Sequence, residues 1–268
     1  KNISRVPQSL IEKNLRNKNI IVNSLKVRGS YNLMLGDKII LKGFYPREIK
    51  KDKRFKYAPK SKEIFDSLNF IIENNENFIV VNKPAGLSVQ AGTKSPKNLI
   101  DIISKNKIFS KNKLYVVHRI DKETSGILII AKNREYAQLF TSLFRIRKIH
   151  KSYLSISYGE IKNKKGRLNN KLIRHEKKRT IIENAITDYK VLDKNDNSTL
   201  LLLNPITGRK HQIRKQLSLI GHPILGDSKY DLLNNINKGR NLLLHSYSIK
   251  FIINNKKFNF VVDIPEYF

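Results

Sequence analysis

Apolar residues recur at Tyr136, Leu139, Phe140, Leu143 and Phe144. That i, i+3, i+4, i+7, i+8 spacing predicts an amphipathic helix over 133–148, its apolar face turned to a core. Shorter periodic pieces predict helices at 8–18 (QSLIEKNLRNK, opened by Pro7-Gln8-Ser9), 98–105 (NLIDIISK) and 209–220 (RKHQIRKQLSLI). Strand-like runs fall at 20–23, 25–27 and 38–41, then at NFII and NFIVV around an Asn74-Asn75 turn, which reads as a hairpin. Further strands are expected at 113–117, 126–132, 152–158, 180–191, 198–203, 242–251 and 257–263. Lys83-Pro84-Ala85-Gly86 is a turn, since proline presets φ and glycine permits φ > 0. Helices and strands alternate without a regular βαβ beat, which predicts an α+β fold whose mixed sheet is mainly antiparallel, with flanking helices.

The pattern also divides the chain. Residues 1–43 give a basic helix and a small sheet. Residues 44–68 (FYPREIKKDKRFKYAPKSKEIFDSL) lack periodicity, carry two prolines and dense charge, and read as a basic linker. Tyr45, Phe55 and Tyr57 within it either stack on bases or tuck against a domain. Residues 69–268 form the larger α+β domain.

Charge changes the picture most. The chain has 268 residues with 53 Lys and Arg against 22 Asp and Glu, a formal charge of +31. Residues 1–60 alone hold 16 basic and 4 acidic residues. Such a surplus favours a polyanionic partner, nucleic acid first and an anionic membrane second. Abundant Lys, Asn and Ile also fit an AT-rich genome, but arginines beside the motifs are not explained that way. The absence of cysteine excludes disulfides, thiolate catalysis and Cys-based zinc sites. No apolar run approaches the ~18–20 residues of a membrane span, and KNISRVPQSL lacks the apolar stretch of a signal peptide, so a cytoplasmic location is expected. The first residue is Lys rather than Met, which leaves a trimmed or incomplete N-terminus open. There is no G-x-G, no phosphate-binding loop and no metal-ligand histidine spacing, so neither a metal nor a nucleotide cofactor is expected.

The candidate chemistry lies in HRIDKETSGILIIAKN (118–133). One carboxylate, Asp121, follows His118 and Arg119 and precedes a polar turn and a hydrophobic run. Two readings fit: a reactive acid on a loop between strands, or an ordinary turn aspartate. Three other polar clusters stand out. KSYLSISYG (151–159) carries Tyr153; NPITGRKHQIRKQL (204–217) carries Arg209, His211 and Arg214 at the start of a helix; GHPILGDSKY (221–230) is followed by LLLHSYSI (242–249). Cations opening a helix oppose its dipole, so a carboxylate or phosphate nearby would help.

HRIDKETSGILIIAK resembles the signature of the RluA-type pseudouridine synthases, usually HRLD-x-x-TSG followed by hydrophobic residues. NKPAGLSV (82–89), KSYL, TGRKHQIR, GHPILGD and LLLHSYSI resemble further family motifs in the same order, so the resemblance covers Asn69 to the C-terminus. Ile120 and Glu123 replace the common Leu and Asp, and Gln90 stands where many relatives have His. SLIEKNLRNKNIIVN and LMLGDKIIL are similar to the S4-like RNA-binding domain, with the first helix cut short at Lys1. The resemblance implies the pseudouridine synthase fold and a redox-neutral isomerisation of uridine in RNA, most of all large-subunit ribosomal RNA, which agrees with the lack of cofactor motifs; nothing in the sequence requires more than a monomer. It implies Asp121, Tyr153 and Arg214 as catalytic residues, with Leu243 or Leu244 beneath the tyrosine. Lys83, His118, Arg119, Arg209 and His211 are expected to contact RNA, Arg119 filling the space of a flipped base. A non-catalytic RNA-binding or ribosome-assembly factor and a base-excising glycosylase are the alternatives.

Overall fold

The computed structural model describes residues 8–43, 57–92, 95–176, 179–231 and 241–268, in two compact units that divide after residue 56. In the first unit α1 (Gln8–Arg16) is followed by β1 (Ile20–Val22), which pairs antiparallel with β2 (Ile39–Leu41). Leu15 and all three β1 residues are buried. The expected strand at 25–27 does not form. Asn23 and Ser24 take positive φ (49° and 65°) and reverse the chain, so Leu25 makes only an isolated bridge to Val22.

The second unit begins earlier than the sequence predicts. Residues 57–68, read as the end of a linker, are folded: α2 (Ser61–Asp66) leads into a 3-10 turn at Ser67–Phe70. Glu63 explains this. Its carboxylate accepts the Lys60 amide at 2.8 Å, closing the first helical turn, and also binds the Tyr57 hydroxyl and the Lys97 ammonium. Tyr57 packs on the core rather than standing free for a base, while Tyr45 and Phe55 lie outside the described residues.

Beyond α2 the chain runs through β3 (Ile71–Asn74), β4 (Phe78–Lys83), α3 (Leu99–Ser104), β5 (Tyr115–Val116), β6 (Ser125–Ala131) and α4 (Arg134–Arg145). There follow β7 (His150–Tyr158), β8 (Lys165–Glu176), β9 (Arg179–Lys194), β10 (Ser198–Pro205), α5 (Gln212–Leu219), β11 (Leu244–Ile253) and β12 (Lys256–Val261). The strands make one sheet in the order β3-β4-β6-β11-β7-β10-β9-β8, with β5 on β6 and β12 on β11. The contact of β6 with β11 is parallel (Ser125 opposite His245, Gly126 opposite Ser246), and the other pairs of this sheet are antiparallel. The fold is therefore the expected α+β, mainly antiparallel mixed sheet.

Strands β4 and β6 are buried on both faces, which is why they read as unbroken apolar runs. Alternation sorts their side chains. Phe78, Val80, Ile127 and Ile129 face one way and meet Phe140 of α4 and Phe251 of β11. Ile79, Val81, Leu128 and Ile130 face the other and meet Leu99, Ile102 and Ile103 of α3. A third cluster, Leu201, Leu203, Ile213, Leu217 and Leu244 among others, seats α5 on the far half of the sheet. Among the described residues no helix is long and apolar enough to cross a membrane.

Candidate active site

The loop between β5 and β6 carries Asp121, and buried neighbours fix it on both sides. Ile120 is in the core and Thr124 is buried. The next glycine is demanded by sterics: Gly126 has φ +104°, and a Cβ there would lie 2.3 Å from the Ser246 carbonyl of β11. The TSG sequence thus lets β6 press against β11 directly after the loop.

Two residues expected to meet RNA hold this loop from inside. Lys83 is fully buried, and its Nζ donates to the carbonyls of Pro84 (2.8 Å), Leu87 (2.8 Å) and Lys122 (3.0 Å). Three N–H groups meet three acceptors, so none is left for RNA. Burial pushes its pKa down to about 7, against the opposing charges of Glu123 and Asp121. His118 accepts the Ile129 amide on Nε2 at 2.8 Å and lies against Phe144, ring centres 4.5 Å apart. Burial, with Lys151 nearby, pushes it down to about 3, so it is neutral and structural. Arg119, by contrast, is exposed and has no partner among the described residues.

Opposite Asp121 stands the start of α5. Buried Gln212 and Gln216 tie this helix to the β8–β9 hairpin. Gln212 Nε2 donates to the Ile186 carbonyl and Thr187 Oγ1, and Gln216 Nε2 donates to the carbonyls of Leu168 and Ala185. Arg214 lies between them on the helix and is 4% exposed. Its Nε and Nη2 each donate to Asp227 at 2.7 Å, and its Nη1 lies 3.6 Å from Asp121 Oδ2. Asp227 is fully buried and also accepts the amides of Lys229 and Tyr230. Burial alone would raise this carboxyl, but the guanidinium and the two amides hold it below its ordinary value. Arg214 is therefore a fixed charge, clamped by one carboxylate and offering its free edge to another.

His211 lines the cleft. It sits in the left-handed region (φ 54°) at the head of α5, with Nε2 3.6 Å from Asp121 Oδ1 and Nδ1 2.8 Å from the Tyr230 hydroxyl. Burial lowers its pKa, with Asp121 opposing and Arg214 assisting. In a neutral ring whose Nδ1 accepts the Tyr230 hydroxyl, the N–H lies on Nε2 and faces Asp121. Arg209 likewise is engaged by protein: Nε donates to the Asn184 carbonyl and Nη1 to Glu183.

Tyr153, on β7, faces Leu203 and Ser246 across its two neighbours and packs between two core clusters. Burial pushes its phenol up to about 12, with Asp121 adding to the effect and a Ser246 hydrogen bond opposing it. It stays a neutral, largely apolar ring. Leu244 lines the cleft and shares the third cluster with Tyr153 and Leu243.

These groups line one cleft of about 440 Å³, which holds Asp121, Tyr153, Arg214, His211, Arg119, Lys151 and Lys210. The sequence reading did not find Asp227, Tyr230 or the two glutamines. Among the described residues no cluster of three His, Cys, Asp or Glu could hold a metal.

Residues 77–219 match the family described as RNA pseudouridylate synthase. A ribosomal large subunit pseudouridine synthase C of Rickettsia conorii is 33% identical over 253 residues, covering 90% of this chain and 83% of that protein. A protein of the same name from Buchnera aphidicola subsp. Baizongia pistaciae is 31% identical over 282 residues, covering 99% and 87%. The solved structure of human RNA pseudouridylate synthase domain containing 4 superposes with a TM-score of 0.66 at 26% identity, covering 77% of this chain and 94% of that one. With the carboxylate, guanidinium and tyrosine gathered in one basic cleft, and with matches of this extent, the chain belongs to the RNA pseudouridylate synthase family and is an RNA pseudouridine synthase.

Proposed function

We propose that this enzyme isomerises uridine in large-subunit ribosomal RNA, with Asp121 as its reactive group. The observation that carries the reading is the pairing of Asp121 with the clamped Arg214 at 3.6 Å inside a cationic cleft. Arg214 sets a fixed positive charge beside that carboxylate. The target nucleotide is flipped out of its helix, since its reacting atoms are unreachable in a stem. Asp121 either attacks C1′ or removes a C2′ proton, and the N1–C1′ bond breaks with its electron pair leaving on uracil. The base turns within the site and C5 bonds to C1′, as the Asp121–C1′ bond breaks on the first route or as Asp121 returns the proton to C2′ on the second; the C5 proton is then lost and N1 gains one. Nothing is oxidised or reduced. Tyr153 stacks on the freed uracil and keeps water out while it turns. Arg119 fills the gap left in the helix.

The named relatives act on the large ribosomal subunit, and that supports the same substrate here. The first unit, with a concave face lined by Arg16, Lys26 and Arg28, acts as an S4-like RNA-binding module that supplies phosphate contacts without reading sequence. The protein works as a cytoplasmic monomer. Carbodiimide mapping of ribosomal RNA from cells carrying wild type or Asp121→Asn tests the reading: modified positions present with the first must vanish with the second. Equal modification by both would end it, and release of free uracil would make the chain a glycosylase instead.

A further inference from the structure

Among the described residues of the second unit, the buried and half-buried cations around the cleft have partners, with one exception. Lys83 has three carbonyls, Arg214 has Asp227, and Arg209 has Glu183. Lys151 has none: among the described residues its ammonium makes no ion pair and no hydrogen bond. It lies on β7 two residues before Tyr153, so strand alternation turns both side chains to the same face, and both line the cleft. It is half-buried, and burial lowers its pKa. His118 beside it is neutral and supplies no counter-charge. The exposed cleft cations Arg119 and Lys210 can lean on solvent, whereas Lys151 has already lost part of its hydration. The turn of α5 passes close by: a Cβ on Gly208 would touch Nζ at 4.0 Å, and the hydrogen there instead leaves the approach open.

We propose that Lys151 is an anion anchor of the cleft, taking a backbone phosphate of the substrate RNA adjoining the flipped nucleotide. The inference rests on the RNA-modifying reading above. A phosphate is the anion that such a substrate brings beside its base, and meeting an ammonium that is already partly desolvated costs less than stripping a hydrated one. Held there, the phosphate fixes the ribose relative to Asp121 while adding no sequence preference. The contact also releases one condensed counterion from the RNA, which gives it a signature that a merely structural lysine lacks.

The test uses the full chain in an Asp121→Asn background, so that RNA binds without reacting, and a stem-loop RNA carrying a mapped target uridine. Affinity is followed by fluorescence anisotropy between about 50 and 300 mM salt. Lys151→Gln should lower the slope of log affinity against log salt by about 1, and Lys151→Arg should restore it. An RNA with one neutral methylphosphonate linkage beside the target should show the same loss with Lys151 present and no further loss with Lys151→Gln. An unchanged slope in a folded Lys151→Gln protein, or losses that add in full, overturns the proposal. Should the variant not fold, the Lys151 protein decides: if no single neutral linkage near the target lowers the slope, the anchor does not exist. Failure of the functional reading shows separately, as wild-type protein that forms no pseudouridine.

Discussion

Removing the Asp227 carboxylate should destabilise the second unit far more than a surface charge change would. Asp227→Ala leaves Arg214 4% exposed and without its two 2.7 Å partners. The remaining carboxylate, Asp121, lies at 3.6 Å and is itself partly solvated. Breaking one side of a buried ion pair costs about 3–5 kcal/mol. For a domain of this size each kcal/mol lowers the midpoint by about 2–4 °C, so a fall of roughly 6–20 °C is expected by calorimetry. Arg214→Met should cost a similar amount. The double variant with Asp227→Leu should be more stable than either single one, because no buried charge is left unpaired. The pH dependence has a definite sign. A carboxyl held below its ordinary value when folded stabilises fully above its unfolded pKa of about 3.8 and loses that contribution as pH falls. The gap between wild type and Asp227→Ala should therefore narrow below about pH 4. A loss under about 1 kcal/mol at pH 7, or single losses that simply add, would refute the buried clamp.

Other outcomes follow from single contacts. Gly126→Ala places a Cβ 2.3 Å from the Ser246 carbonyl at φ +104°, and should cost more than about 3 kcal/mol in urea unfolding; an unchanged midpoint would remove the close approach of β6 and β11. Tyr230→Phe deletes the donor to His211 Nδ1, so imidazole nitrogen NMR should show a smaller share of the Nε2–H tautomer and turnover should fall with the fold intact. An unaltered tautomer ratio would mean that another group sets it. His118 and His245 are pushed by burial from 6.5 to about 3 and about 4. The unfolded chain thus binds protons below pH 6.5 that the folded one refuses, and stability should drop on acidification by up to about 1.4 kcal/mol per pH unit per histidine. Stability that stays flat from pH 7 to 5 would contradict their burial.

What the sequence disclosed, and what it hid, has a physical cause in each instance. Strands β4 and β6 and helix α4 were legible because burial forces apolar residues onto one face of a helix and both faces of a central strand. Strand β8 was not expected at all. Its inward face mixes Leu168 and Leu172 with Gly166, Asn170 and Arg174, and its outward face mixes Lys165, Arg167, Asn169 and Lys171 with the exposed Ile173, so the apolar alternation is broken on both sides. Helix α2 was hidden by its dense charge, since the sequence does not show that Glu63 meets the Lys60 amide, the Tyr57 hydroxyl and the distant Lys97. Within the cleft, Asp121, Tyr153 and Arg214 stood out by motif. Lys83 and His118 were assigned to RNA because residue type reveals charge but not burial. Asp227 and the two glutamines of α5 act through distant backbone and side-chain partners, and no local spacing announces such contacts.

Strand β11 has a consequence for how the enzyme comes into being. In the sheet it separates β3, β4 and β6, which frame the Asp121 loop, from β7 to β10, which carry Tyr153 and support α5. Yet it is made of residues 244–253, which follow both flanks along the chain. Until it is added the two flanks lack the strand that joins them, and the carboxylate cannot find its guanidinium. A nascent chain is therefore inert until residues 244–253 have been made, and the two flanks close into one sheet only after that.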